Sequence, residues 1–329
     1  MSDSPPLMTV RELKALEPRS SHAFSSVLLV RKVTAKTAKN ESSYLSVELG
    51  DRTGSFSVTC FGDSALFEFF RNLPASAVVR IEAKSDYYQN RFSPRISQAE
   101  QLSAEQLAAP GLLENLIETA PENLEQLWAD LQGFIASLAH PELHATVQTV
   151  FDDIGDAFKA APAAIAMHHA YRHGLLEHTV HMARACRALL PLYPEVDGEL
   201  AMAGILLHDI GKTIEYEGTL VTQRSRKGLL QGHVVLGYQL ARRAGLKAKL
   251  AAGLLERLEH IILSHQGELE YGAAVMAATP EAVFVSMIDN LDARMGMVQR
   301  ALRQAGPDEE FSERLPGLSA QLLTRKPAG

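Results

Sequence analysis

The chain has 329 residues, 46% of them hydrophobic and 22% charged, with a net charge of −7 and a pI near 6.0. That length suits two domains, each able to bury its own core. No apolar stretch approaches the ~20 residues that span a bilayer. The opening MSDSPPLMTV lacks a basic region followed by an apolar one, and Cys60 and Cys186 fall in segments of different character. These features exclude a membrane protein, a secreted disulfide scaffold and a disordered tail protein. A cytoplasmic globular protein is expected.

Residues 24–100 read as strands. Ser25 to Val30, Tyr44 to Leu49 and Ser55 to Phe61 are rich in β-formers, and the latter two alternate. Gly50-Asp51-Arg52-Thr53-Gly54 between them is a hairpin signal. A helical piece, Ser64 to Asn72, precedes two more strands, Ala77 to Ala83 and Arg91 to Ser97, with Tyr87 to Asn90 near the turn. Five strands with a helix between the third and fourth is the order of an OB-fold, the small Greek-key barrel used for oligonucleotides. Other all-β barrels share the pattern. Ser103 to Pro110 reads as a linker, and helical periods then run to the C-terminus, punctuated by Pro121, Pro141, Pro162, Pro191, Pro194 and Pro280. Thr279-Pro280-Glu281 is a helix start, and the polar tail after Pro307 reads as loose at its end. The expected organisation is an extension (1–19), an all-β barrel (20–102), a linker (103–112), an all-α domain (113–305) and a tail (306–329).

Charge and histidine are unevenly placed. Residues 1–103 carry a net charge of +2 and residues 104–329 one of −9, and nine of the twelve histidines lie between His168 and His265. A balance of +2 is weak evidence for a polyanion partner. The clustered histidines suggest a site in the second half, with a scatter on the surface as the plainer explanation.

The informative residues there are His178, the adjacent pair His208-Asp209, His233, His260, His265 and Asp289. Imidazole and carboxylate suit first-row divalent ions, and no nearby thiolate favours a structural zinc site. A carboxylate has two oxygens with which to bridge two ions. An apolar helix, Met202 to Leu207, ending in two ionisable groups is costly unless they are paired or hold metal. Gly211 would let the helix turn sharply, and Lys212 offers a point charge for a phosphate. A lone buried histidine is more often a hydrogen-bonded core residue, so His178 gains weight only from its context, and His181 reads as a supporting or surface residue. His260 and His265 are five apart, roughly 140° around a helix, and face one site only if the helix ends between them; Gly267 supports an ending nearby. Of Asp289 and Asp292, one would bind metal and the other would pair with Arg294 or Arg257.

The order His178, His208-Asp209, Asp289 resembles the HD-domain phosphohydrolase superfamily, and His233, His260 and His265 resemble its binuclear branch. His168-His169-Ala170-Tyr171, GLLEHT (174–179), LLHDIGKT (206–213), GHVVLG (232–237), HIILSHQGELEYG (260–272) and IDNLDARM (288–295), together with the barrel, are similar to the YhaM-type 3′→5′ exoribonuclease family over about residues 20–302. The resemblance implies an OB-fold followed by an all-helical HD domain. It implies two divalent ions, Mn2+ first with Fe, Co, Ni or Zn as alternatives. His178, His208, Asp209 and Asp289 would hold one ion, and Asp209, His233, His260 and His265 the other. Many relatives carry a second histidine where this chain has Gln266, so that position is not counted. Tyr171 to Gly174 also carries a bulkier pair than the family's small residues, which bears on the pocket mouth.

Two ions close together lower the pKa of water, while Lys212 would neutralise charge on the phosphate. His169 or His173 would protonate the leaving oxygen or bind a phosphate oxygen, with structural packing of His168 and His169 equally open. Strand contacts would come from Tyr44, Tyr87, Tyr88 and Phe92 with Lys36, Lys39, Arg52 and Arg91, and from Phe56, Phe61, Arg80 and Arg95 as further candidates. Any one of these aromatics is more often core than stacking platform, and Tyr87, Tyr88 and Phe92, around a polar loop, are the better candidates for exposure. The implied activity is hydrolysis of single-stranded RNA, with single-stranded DNA as a second substrate, to nucleoside monophosphates from the 3′ end. The alternatives are a nucleotide or cyclic-dinucleotide phosphohydrolase and a non-catalytic single-strand-binding protein. Membrane association is not expected, and oligomerisation is left open.

Overall fold

The computed structural model describes residues 5–17, 20–37, 41, 43–74, 76–88, 91–109, 111–165, 168–218, 220–305, 309–315 and 317–325. They divide into two compact units. One runs up to Thr119 and includes Gly218–Val221; the other comprises Ala120–Glu217 and Thr222 onward. No helix among the described residues is long and apolar enough to cross a membrane.

The first unit opens with α1 (Val10–Lys14), started by a reciprocal cap between Thr9 and Glu12. Then come β1 (Ala23–Thr37), β2 (Ser43–Asp51), β3 (Gly54–Phe61), α2 (Phe67–Arg71), β4 (Val78–Lys84), the small hairpin β5 (Tyr87–Tyr88) and β6 (Arg91–Phe92), and β7 (Arg95–Gln101). Five strands pair antiparallel in the order β3-β2-β1-β4-β7. The helix between the third and fourth of them is where the sequence puts it. Alternation does the sorting: Phe56, Val58 and Cys60 of β3 are buried, while Ser57, Thr59 and Phe61 face out. The buried set meets Phe24, Leu28, Leu45, Val47, Leu49, Val79 and Ile81 in one core.

One expectation is corrected here. Arg91 to Ser97 is not one strand: Arg91–Phe92 folds back on β5, and only Arg95–Gln101 joins the sheet. Pro94 stands between them, with no N–H to give to a ladder. The expected linker holds a helix, α3 (Ala104–Leu107), because Ser103 and Gln106 cap each other; α4 (Leu112–Leu116) follows.

The second unit is helical: α5 (Leu124–Ala136), α6 (Pro141–Ala160), α7 (Gly174–Leu189), α8 (Gly198–Leu207), α9 (Lys212–Glu215), a two-residue hairpin of β8 (Tyr216–Glu217) and β9 (Gln223–Arg224), α10 (Arg226–Lys247), α11 (Ala252–Ser264) and α12 (Pro280–Gln304). Pro141 and Pro280 begin their helices, and the Thr279 hydroxyl accepts from the Ala282 N–H. Leu200 to Leu207 of α8 is buried on every side, so its last turn is a rigid support. Gly232 breaks α10 with φ +70° and ψ 158°, and His233 opens the second helical run. In the tail, Phe311 bridges Leu323 and Leu315 bridges Ala320, closing a small loop.

Candidate metal centre

Five segments of the helical unit send polar side chains to one buried place. His178 comes from α7, His208 and Asp209 from the turn after α8, His233 from the restart of α10, His265 from the end of α11 and Asp289 from α12. Asp209 is the hub, 2% exposed. Its Oδ2 lies 3.1 Å from His208 Nε2 and 3.7 Å from His178 Nε2, and its Oδ1 lies 3.4 Å from both His233 Nε2 and His265 Nε2. Asp289 Oδ1 is 3.3 Å from His178 Nε2. Two groups therefore converge within ion-binding distance, His178/His208/Asp209 and Asp209/His233/His265, sharing one carboxylate.

The rings are held by their far nitrogens. His208 Nδ1 donates to the Ile205 carbonyl and His265 Nδ1 to the Ile262 carbonyl, each at 2.7 Å. His178 Nδ1 lies 2.7 Å from Asp292 Oδ2, and His233 Nδ1 lies 2.9 Å from Glu215 Oε2. A carbonyl at Nδ1 keeps the proton there and leaves Nε2 of His208 and His265 to offer a lone pair. Asp209 Oδ1, buried, accepts no hydrogen bond. Lone pairs and an orphaned carboxylate oxygen facing one another are what a cation relieves, so the residues present fit divalent ions.

Electrostatics agree. Burial opposes charge on Asp209, but Lys212, His208 and His265 outweigh it and hold the carboxyl well below the usual range. Lys212 Nζ donates to Asp209 Oδ2 at 2.5 Å, and Asp209 in turn keeps the buried ammonium charged. Burial also opposes charge on His178, yet Asp289 and Asp292 raise it to about 10. In the metal-free protein His178 is thus an imidazolium whose Nε2, 3.2 Å from His208 Nε2, donates to that ring.

Several expected site residues are placed elsewhere. His260 does not join the cluster: α11 continues to Ser264, so the five-residue spacing keeps the two rings apart, and His260 Nε2 accepts from the Ala278 N–H at 2.8 Å. His169 has both nitrogens engaged, Nδ1 with Tyr171 and Glu177 at 2.9 Å and Nε2 with Asp292 at 3.0 Å. His173 caps α7 in a left-handed conformation, φ +69°, with Nδ1 on the Lys159 carbonyl. His169 therefore has no nitrogen free for a substrate oxygen, while His173 has its Nδ1 committed. Asp292 pairs with neither Arg294 nor Arg257; it takes His169, His178 and His181, while Arg294 meets Asn290 and Arg257 meets Glu281. Gly211 ends the turn between α8 and α9 with ordinary helical φ and ψ, which need no glycine. A Cβ there would lie 2.0 Å from the His233 carbonyl, so the glycine serves close approach.

Sequence reasoning also missed groups. Asp292 orients the His178 ring, Glu215 Oε2 stands beside His233 Nδ1, and Gln266, set aside above, lies against His233 and His265. His168 sits beside His178, ring centroids 5.8 Å apart, with a buried Nδ1 that has no partner. Burial, with His178 and Lys212 nearby, lowers it to about 3, so its ring is neutral at pH 7. Gly296 on α12 was the available signal, since a Cβ there would meet both His168 and His169.

In the first unit, Lys36, Tyr44 and Phe61 are direct cross-strand partners on one outward face, and Phe61 is 57% exposed. Tyr88 and Arg91 face solvent on the β5–β6 hairpin, and Arg52 does so in the β2–β3 turn. Phe92 is a core residue instead, packed on Phe24, Phe56 and Tyr87, and Phe56 is buried with it. Tyr87 is pinned by donating its hydroxyl to the Leu16 carbonyl. Arg80 pairs with Glu100 and Arg95 with Asp86. Lys39 lies outside the described residues.

Comparison with known proteins bears on this arrangement. The HD domain family model matches residues 175–294, which contain every residue of the cluster. Over 301 residues, 91% of this chain and 92% of the relative, the chain is 30% identical to the 3′-5′ exoribonuclease YhaM of Shouchella clausii (strain KSM-K16).

Proposed function

The chain belongs to the YhaM family of HD-domain 3′→5′ exoribonucleases, and from that premise we propose that it is a metal-dependent hydrolase removing nucleoside monophosphates from the 3′ end of single-stranded RNA. The observation that carries this reading is Asp209, whose two oxygens each face a separate pair of imidazole nitrogens. His178, His208, Asp209 and Asp289 would hold one divalent ion, and Asp209, His233 and His265 the second, with Mn2+ suited to the mixed imidazole and carboxylate donors. Bound there, the pair would supply Lewis acidity and a water of lowered pKa.

The chain's own groups do the rest. Lys212 carries a fixed positive charge beside Asp209, close to where phosphate oxygens gain charge. His168, neutral and with a spare nitrogen, is the better placed of the three neighbouring histidines to meet a substrate oxygen. Asp292, Glu177 and His169 form a buried hydrogen-bonded chain behind His178 that fixes its ring. On the sheet, Tyr44 and Phe61 offer stacking faces with Lys36 beside them for a phosphate.

A time course on 5′-labelled single-stranded RNA and DNA with Mn2+, against EDTA and Asp209→Ala, tests the reading. The expected outcome is a ladder shrinking from the 3′ end, lost with chelator and in the variant, with RNA preferred. Binding without cleavage by metal-loaded protein would overturn it in favour of a binding module. Hydrolysis of mononucleotides alone would overturn it in favour of a nucleotide phosphohydrolase.

A further inference from the structure

Gln266 follows His265 just past the end of α11, and its Nε2 lies 3.0 Å from His265 Nε2 and 3.2 Å from His233 Nε2. His265 Nδ1 is committed to the Ile262 carbonyl, and an amide nitrogen only donates, so both ring Nε2 atoms are its acceptors. The amide NH2 therefore gives one N–H to each ring. The same two nitrogens lie 3.4 Å from the unpartnered Asp209 Oδ1. Gln266 thus occupies the open side of a donor set that otherwise has two imidazoles and one carboxylate oxygen.

A cation taking those lone pairs removes the acceptors that hold the NH2 group. A primary carboxamide has a donor end and an acceptor end of nearly the same size, exchanged by a half turn about its last torsion. We propose that Gln266 is a protein ligand of the ion held by Asp209, His233 and His265, turning its carboxamide so that Oε1 replaces Nε2. This rests on the metal reading above and extends it. The two ions then see different donors. The first has two imidazoles and two carboxylates; the second has two imidazoles, the shared carboxylate and a neutral amide oxygen. The second is held more weakly and loads last. An amide oxygen is a hard donor, which favours Mn2+ over Zn2+ at that position.

Calorimetric titration of metal-free protein with Mn2+ and with Zn2+, with bound metal counted after gel filtration, tests this on wild type, Gln266→Ala, Gln266→Glu and Gln266→His. Wild type is expected to bind two ions in two steps. Gln266→Ala should weaken the second step about tenfold or more and leave the first unchanged, as loss of one donor does. Gln266→Glu keeps an oxygen and adds charge, so it should tighten the second step. Gln266→His should keep both ions and shift the second towards Zn2+. Circular dichroism of the metal-free variants checks folding, and the gain expected of Gln266→Glu does not depend on Gln266→Ala being folded. Two unchanged steps in Gln266→Ala, or no tightening in Gln266→Glu, would overturn the ligand role while leaving the metal centre intact. A wild-type protein that takes up no ions would overturn the reading of the centre with it.

Discussion

Asp292 is in reach of three imidazoles: His169 Nε2 at 3.0 Å, His178 Nδ1 at 2.7 Å and His181 Nδ1 at 3.4 Å. Burial opposes its ionisation, but these rings outweigh burial and hold the carboxyl far below its usual range. An anion at Nδ1 fixes a ligand ring's orientation and makes its Nε2 a better donor. Asp292→Asn keeps the shape and loses the charge, so affinity for the first ion should fall by roughly tenfold to a hundredfold with the helical content unchanged. Metal counting with circular dichroism checks this; unchanged affinity would mean that Asp292 only fills space. The same chemistry sets a pH dependence. His178 keeps a second proton up to about pH 10 in the metal-free protein, and a ligand imidazole must give that proton up. Loading therefore releases a proton. Apparent affinity should rise by up to about tenfold per pH unit from pH 7 and level off towards pH 10. Calorimetry in buffers of different ionisation enthalpy measures the proton count, and a count of zero at pH 7 would sink the argument.

At the scale of elements, the centre depends on how closely helices approach. Gly211, at the start of α9, lies against the restart of α10: an added Cβ would stand 2.0 Å from the His233 carbonyl and 2.6 Å from the Gly237 N–H nitrogen. Both obstacles are backbone and cannot rotate away. Gly211→Ala should cost about 1–3 kcal/mol by overpacking and carry His233 away from Asp209. The expected result is a lower thermal midpoint together with weaker binding of the second ion; an unchanged midpoint would contradict the geometry. The sequence made the glycine visible but misled about its purpose, because a contact between distant segments leaves no local pattern. His260 failed for a related reason. Spacing stated the condition for its joining the site, but α11 runs on through Ile261 and Ile262, both fully buried, to Ser264. What was legible had local causes: strand alternation, the helix starts at Pro141 and Pro280, and the pair His208-Asp209 closing an apolar helix. Phe92 and Tyr87 were not legible, since an aromatic beside a turn reads alike whether it stacks outside or plugs a core.

For the whole molecule, charge and stability are linked through the ions. The acidic second part, net −9 from residue 104 onward, would repel a polyanion, and cations held at its centre invert the sign locally. The carboxylates that hold them, buried and paired, exist in that arrangement only in the folded helical unit. Ions that bind the folded state alone stabilise it by about 2.7 kcal/mol at a hundredfold excess over Kd. For a unit of this size that corresponds to a rise in midpoint of roughly 5–10 °C. Trp128, the chain's single tryptophan, lies on α5 against Phe151 with Lys159 over its ring, so its fluorescence follows the helical unit. Thermal unfolding followed at Trp128 should shift upward by that amount between EDTA and saturating Mn2+, and Asp209→Ala should abolish the shift by removing the carboxylate both ions share. Equal midpoints with and without Mn2+ would show that the helical unit does not need its charges answered, and with that the case for a metal-built site would fail.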